Sequence, residues 1–326
     1  MKIVIPGGCG QVGQILAREL GRAGHQCVVL SRSGRTAPAG ARTVGWDGRT
    51  IGPWAAEIEG ADAVINLAGR SVDCRYTERN LAEMLRSRTD STRVIGQAIA
   101  LAGHPPRVWL QASTATLYAH RFDAPNDELT GQMGGKEPDA PPLWRKSVAI
   151  AQAWEAELAV AVTPRTRKIA LRSAMTMSPD RGGVFHVLAA LCRLGAGQQG
   201  DGRQFVSWIH EEDFVHAVLF LIGRDDLAGA INLAAPNPLT NQEFVAAIHR
   251  ALGAKLALPL PRWALEIGSF FLRTETELIL KSRRVVPGRL LRAGFEFRFP
   301  SWPPAARDLV GRMKARPVGT ARRGEI

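Results

Sequence analysis

Four glycines within the first thirteen residues, Gly7, Gly8, Gly10 and Gly13, limit what this chain can fold into more than any other feature. They follow an apolar run, Lys2 to Ile5, that reads as a short buried strand. They precede Gln14 to Leu20, whose apolar spacing is that of an amphipathic helix. A strand that turns sharply into a helix through glycines leaves no Cβ in the way of a pyrophosphate, and the helix N-terminus offers free N–H groups with partial positive charge. Glycine-rich turns are common, and this one gains its meaning from its place between strand and helix. The expectation is a dinucleotide site with Gly7, Gly10, Gln11, Val12 and Gly13 around the phosphates.

The next β-type run, Gln26 to Leu30, leads into Ser31-Arg32-Ser33. A NAD-preferring site carries Asp or Glu here for the ribose hydroxyls. With no carboxylate to repel a 2′-phosphate, and a guanidinium between two hydroxyls to bind it, Ser31, Arg32 and Ser33 point to NADP(H). The alternative is an ordinary basic turn. The Gly-, Pro- and Ala-rich stretch 36–52 contains a short extended segment, Val44 to Asp47, from which Asp47 is a candidate to reach the adenine.

A chain of 326 residues with 45% apolar content can bury a large core. No apolar run is long enough to span a bilayer, and the N-terminus opens as a strand without a charged leader, so a cytoplasmic protein is expected. Cys9, Cys27, Cys74 and Cys192 are scattered without metal-type spacing and are expected as reduced thiols; no metal is expected. The formal charge of +12 raises the question of nucleic acid, but the arginines are dispersed and no aromatic-interleaved basic motif appears. An anionic cofactor, with an anionic substrate as a further source, accounts for part of the excess; solvated surface and a basic tail account for much of the rest.

Strand patterns recur at 62–69, 107–113, 167–172 and 229–234, separated by helical patterns at 78–102, 147–162, 182–194 and 211–222. A turn and short strand are read at 200–210. Such alternation implies an α/β Rossmann architecture, a doubly wound parallel sheet. Leu67, Ala68 and Gly69 close the third strand in a small-residue turn suited to backbone contact with a nicotinamide half. The fourth strand runs into Thr114 to Tyr118 at its carboxyl end, where ligands bind in open parallel sheets. The stretch 119–142 is long for a loop and reads as a cover over the site. Further helices are expected at 241–252 and from 262 to about 284. The expected organisation is a nucleotide-binding domain over 1–174, returning at about 207–235, with a smaller, mostly helical substrate-side domain from 175–206 and 236–312. A mobile basic tail at 313–326 completes it.

Four stretches together resemble the extended short-chain dehydrogenase/reductases: Gly7-Gly-Cys-Gly-Gln-Val-Gly13, Asn66-Leu-Ala-Gly69, Ala112-Ser-Thr-Ala-Thr-Leu-Tyr118, and Gly200-Asp-Gly-Arg-Gln through Trp208-Ile-His-Glu-Glu-Asp213. More narrowly, Trp154-Glu155, Arg172-Ser173, Ala235-Pro-Asn-Pro238 and Val286 through Phe295 are similar to an epimerase-like NADP-binding oxidoreductase subfamily whose C-terminal segment is a domain of unknown function. The resemblance implies a Rossmann fold, an NADP(H) cofactor, Arg172 among the cofactor-binding positions, and Thr114 as the hydroxyl that hydrogen-bonds a substrate carbonyl, with Ser113 beside it. Typical members carry a Tyr-x-x-x-Lys pair on the helix after the fourth strand, in which the lysine lowers the tyrosine pKa and the tyrosine shuttles a proton. This chain has only Tyr76 and Tyr118, neither followed by Lys four residues on; Ser147 and Ala151 fall approximately where the pair belongs.

The remaining candidates each have a plain structural alternative. Tyr118 lies in a stretch whose tyrosine, in the family it resembles, often lines the cavity without being the proton donor, and it is a candidate for catalysis; His120 and His210 are proton carriers or structural hydrogen-bond partners. Arg75 and Tyr76, in the loop after the third strand, and Arg88, on the following helix, are candidates to meet a substrate. Arg88 either binds a carboxylate or phosphate or is a surface cation paired with Asp90 or Glu83. Arg145 and Lys146 are a replacement cation or a solvated helix start. The expected function is NADP(H)-dependent oxidation or reduction of a small carbonyl or alcohol, and the alternative is an NADP(H)-binding sensor without hydride transfer. The expected partner is a small molecule, with neither nucleic acid nor membrane. A homodimer through the helices at 78–102 and 147–162 is the oligomer the resemblance suggests.

Overall fold

The computed structural model describes residues 1–32, 40–138, 141–260 and 280–315. In chain order, β1 (Lys2–Pro6), α1 (Gln11–Arg22), β2 (Gln26–Ser31), β3 (Ala41–Gly45) and β4 (Ala63–Asn66) build the first half of the sheet. Next come α2 (Glu78–Leu101), β5 (Val108–Thr114), α3 (Pro142–Val160), β6 (Arg167–Ser173), β7 (Met175–Met177), α4 (Val184–Arg193), β8 (Ala196–Gln199), β9 (Phe205–Val206) and β10 (Trp208–His210). The chain continues through α5 (Glu211–Ile222), β11 (Gly229–Leu233), β12 (Leu239–Thr240), α6 (Asn241–Leu252), β13 (Leu258–Leu260), α7 (Gly288–Arg292) and α8 (Trp302–Ala315).

Seven strands form one parallel sheet in the order β11-β6-β5-β4-β1-β2-β3. Its central strands β1, β2 and β4 are nearly continuous buried apolar runs because both faces are covered. Along β4, Ala63 and Ile65 join the layer made with Leu16, Leu20, Phe214 and Leu221 of α1 and α5, while Val64 joins Val94, Ile95 and Ile99 of α2 on the opposite face. The strand order reverses beside β1, which turns one way to β2 and the other to β4. The crevice above that reversal is where such sheets bind ligands. The segment around Val44, expected only as a short extended piece, pairs with β2 and makes the edge strand β3.

A separate apolar cluster lies beyond the sheet. Trp302 of α8 stacks on Phe244 of α6 at 4.2 Å between ring centroids and meets Trp208 at 4.8 Å and Phe185 at 5.9 Å. Some boundaries differ from the sequence expectation for clear reasons. Helix α3 starts at Pro142, not near Ser147, because proline is well suited to the first helical turn. Helix α8 runs through Ala315, so the first residues of the expected tail are helical. Ser33, most of the helix expected from 262 to about 284, and residues 316–326 lie outside the described residues. Among the described residues, no helix is long and apolar enough to cross a membrane.

Candidate functional site

The glycines after β1 are fixed by what surrounds them. Gly7 has φ +76°, and a Cβ there would meet Ala68 N and Cα at 2.7 Å, so the β1 turn and the turn after β4 touch backbone to backbone. A Cβ on Gly13 would lie 2.4 Å from Gly8 Cα, which is how α1 is seated against its own loop. Gly10 differs: the nearest atom to its would-be Cβ is Gly7 O at 3.5 Å, and the residue is exposed. It is the N-cap of α1, with no side-chain cap and no acidic residue in the first turn. That helix end therefore presents its first N–H groups and partial positive charge to the crevice.

Gln11 stands at the same place, and its buried Nε2 has no hydrogen-bond partner among the described residues. It presses on Gly183, whose would-be Cβ lies 2.1 Å away, so the loop before α4 closes over the N-terminus of α1. Arg18 of α1 holds that loop by an ion pair to Asp180 at 3.1 Å. An uncapped helix end, an unpaired amide donor and a side-chain-free approach over Gly10 together fit a phosphate chain. Val12 is half-buried in the first turn of α1 and packs against the core of the sheet.

The Gly7 N–H donates to Leu30 O at 2.9 Å, which brings the end of β2 alongside the glycine loop. Ser31 is buried there and Arg32 is exposed. Asp47, beyond β3, uses its carboxylate locally. It accepts the N–H groups of Arg49 and Thr50 and the Thr50 hydroxyl, at 2.8, 3.0 and 2.5 Å. These bonds hold its pKa down to about 2. Asp47 thus shapes its own turn.

At the end of β4, Leu67 and Ala68 are half-buried and Gly69 is exposed. The turn is braced by the Asn66 side chain, which accepts the Ala68 N–H at 3.1 Å and donates to Gln111 of β5 at 2.9 Å. Arg88 of α2 packs against this turn: a Cβ on Gly69 would lie 3.4 Å from its Cγ and Cζ. The surface-cation expectation for Arg88 does not match what is seen. It is only 9% exposed, so it is no surface cation, and Asp90 and Glu83 pair instead with Arg93 and Arg70. Tyr76 is buried with Leu81, Met84 and Ile150, and Arg75 is half-buried, its carbonyl accepting from the Asn80 side chain at 2.7 Å.

At the end of β5, pleating sends successive side chains to opposite faces. Ser113 donates to Glu155 of α3 at 2.6 Å. Glu155 pairs with Arg172 of β6 through two contacts at 2.7 and 2.8 Å, and Arg172 donates to the Tyr118 hydroxyl at 3.0 Å. Tyr118 in turn donates to Asn232 of β11 at 2.9 Å. This chain of bonds crosses β5, β6 and β11 in the interior. Burial pushes the Tyr118 phenol pKa up despite Arg172, and Glu155 with Tyr118 raises that of Arg172. Ser113, Tyr118 and Arg172 are thus brought together with one another, with donors and acceptors engaged by protein. Thr114 is different. Its Oγ1 accepts the Thr116 N–H at 3.1 Å, which leaves its own O–H to donate.

Two cations that the sequence reading missed approach the same strand end. Lys281, 2% exposed, donates to Thr116 O at 2.8 Å, and Arg283 Nε reaches Thr116 Oγ1 at 3.3 Å. His120 Nδ1 accepts the Ser282 N–H at 2.8 Å with its ring between Phe122 and Trp144, and burial lowers its pKa. His210 caps α5, accepting the Glu212 N–H, and faces Asp308 at 3.1 Å. Burial drives its pKa down to about 4. His210, Glu212 and Asp308 lie close enough to suggest a metal group, but Arg312 already bridges Glu212 and Asp308, at 3.0 and 3.3 Å. Arg145 and Lys146 are exposed on the first turn of α3, with Ser147 half-buried after them and Ala151 buried.

Comparison with known proteins agrees with this geometry. Residues 3–234 match the model of the NAD dependent epimerase/dehydratase family, and residues 260–309 match a domain of unknown function, DUF1731. Epimerase family protein SDR39U1 of Homo sapiens is 28% identical over 314 residues, covering 95% of this chain and all of that protein. An epimerase family protein of Mycobacterium leprae is 32% identical over 299 residues, covering 90% of this chain and 91% of that one. The crystal structure of human SDR39U1 (isoform 2) with NADPH superimposes with a TM-score of 0.81 at 28% identity, over 95% of this chain and 99% of that one. From fold, glycine loop and matched sequence, the chain belongs to the NAD dependent epimerase/dehydratase family of extended short-chain dehydrogenase/reductases, with a C-terminal DUF1731 region.

Proposed function

We propose that the protein is an NADP(H)-dependent oxidoreductase that interconverts a small carbonyl compound and its alcohol. The observation that carries this reading is the uncapped N-terminus of α1, open over Gly10 and flanked by the unpaired Gln11 amide. The NADPH held by the human relative of matching fold supports it. In this reading the Gly7–Gly13 loop, Gln11 and Val12 hold the pyrophosphate, Ser31, Arg32 and Ser33 hold the 2′-phosphate, and Leu67 to Gly69 line the nicotinamide half. The cofactor supplies or accepts the hydride. Thr114 donates its hydroxyl to the substrate oxygen, polarising the carbonyl. The proton comes from water, the cofactor ribose or a side chain of the 119–142 loop, since α3 carries Ser147 and Ala151 where typical relatives have the Tyr-x-x-x-Lys pair. Ser113, Tyr118 and Arg172 act by fixing the end of β5 rather than by touching substrate.

The engaged Tyr118 hydroxyl favours a second reading, an NADP(H)-binding sensor without hydride transfer. NADPH oxidation followed at 340 nm against a panel of small aldehydes, ketones and oxo acids separates the two. Turnover with any member supports the oxidoreductase. Tight NADPH binding with no turnover across the panel supports the sensor.

A further inference from the structure

Arg88 carries a buried charge that no carboxylate among the described residues pairs with. Its side chain lies between the Gly69 backbone and the indole of Trp154, with Cζ 4.9 Å from the ring centroid. A guanidinium has five N–H donors. Among the described residues, the one hydrogen bond from this guanidinium runs from Nη1 to Met84 O, one turn back on its own helix, at 3.0 Å, and it forms no ion pair. The side chain is 9% exposed, and burial lowers its pKa to about 10. Two other arginines on and beside α2 do find carboxylates: Arg70 pairs with Glu83, and Arg93 with Asp90 and Glu157. A desolvated cation without a counter-charge is costly to keep, and acceptor oxygens brought by a ligand would offset that cost.

Sheet order indicates which ligand. Arg32 stands at the end of β2, on one side of β1; Gly69 and Arg88 stand at the end of β4, on the other. A dinucleotide whose phosphates lie over Gly10 and Gln11, with its 2′-phosphate at Arg32, must run its other half toward β4. We infer that Arg88 is the cation of the nicotinamide half, donating to the acceptor oxygens of the nicotinamide ribose and its adjoining phosphate. This rests on the NADP(H) reading above. A Cβ on Gly69 would stand in van der Waals contact with the guanidinium, so the turn after β4 packs directly against it. The residue is a binding group supplied from α2, at a site where α3 offers the small side chain of Ala151.

The same oxygen chemistry could come from a carboxylate on the substrate, and a binary complex separates the two sources. NADPH and 2′,5′-ADP, which lacks the nicotinamide half, are titrated against wild-type protein, Arg88→Met and Arg88→Lys without substrate. Methionine keeps an apolar chain against Trp154. The expected result is a tenfold or greater loss of NADPH affinity in Arg88→Met, a smaller loss in Arg88→Lys, and 2′,5′-ADP affinity within twofold of wild type in both. NADPH affinity unchanged in Arg88→Met would overturn the assignment and leave the substrate as the source. Equal losses for both ligands would also overturn it, showing a structural role. Wild-type protein that binds neither ligand would overturn the NADP(H) reading, and the role of Arg88 with it.

Discussion

Replacing Glu155 with glutamine tests the buried network at the end of β5. The variant keeps the volume of the side chain and an acceptor for Ser113, but it leaves Arg172, whose side chain is 8% exposed, without its counter-charge. Removing one partner of a buried ion pair destabilises by roughly 3–5 kcal/mol. Glu155 itself is 19% exposed, and that partial solvent screening argues for the low end, about 3 kcal/mol. Over 326 residues the entropy of unfolding is about 0.7 kcal/mol/K, so Tm should fall by about 4 °C. Differential scanning calorimetry reads this directly. Glu157→Gln is the control, since its partner Arg93 is half-exposed, and about 1 °C or less is expected. Arg172→Met combined with Glu155→Gln should recover part of the loss, because the unpaired charge is then gone. A Glu155→Gln Tm within 1 °C of wild type, or a double variant as unstable as the sum of the singles, would refute the reasoning.

Two glycines three residues apart should respond in opposite ways. Gly13→Ala forces a methyl into Gly8 and is expected to destabilise by at least 1–3 kcal/mol, roughly, in chemical denaturation. Gly10→Ala, at φ −73°, should leave stability within about 1 kcal/mol of wild type, yet weaken NADPH in a titration because its methyl stands on the open approach. His210 should produce an acid limb. Its folded pKa of about 4 lies below the unfolded value, so its contribution is complete above about pH 6.5 and is lost as pH falls toward 4. His210→Asn, which keeps a capping side chain, should flatten the fall in urea stability between pH 6.5 and 4.5; an unchanged slope would count against the buried imidazole as its source.

Much of the sheet was legible because parallel strands buried on both faces are short apolar runs, and the helices between them keep a regular period. The glycine loop was legible because its demands are local: the turn, the helix start and the phosphate approach all fall within thirteen residues. The short strands β7, β8, β12 and β13 were not, since two to four residues carry no periodicity of their own. The Ser113–Glu155–Arg172–Tyr118–Asn232 chain joins residues up to 114 positions apart, and local pattern cannot reveal such pairings. A weaker signal was present all the same. Glu155 follows Val148 and Ala151 at spacings of seven and four on the buried stripe of α3, and Arg88 follows Leu81 and Met84 in the same way on α2. A charge in register with an apolar stripe has to be paired inside the protein or by a ligand. Lys281 and Arg283 were missed because a helix was read through them.

The central claim is that the crevice beside β1 holds NADP(H), selected by Arg32. Fluorescence titration of NADPH and NADH against wild-type protein and Arg32→Ala tests it most directly. Loss of a charge-assisted contact to the 2′-phosphate, about 1.5–3 kcal/mol, predicts that NADPH affinity falls roughly ten- to a hundredfold in the variant while NADH affinity is unchanged. Equal affinity of the wild-type protein for the two nucleotides, or a variant that loses both alike, would contradict the claim.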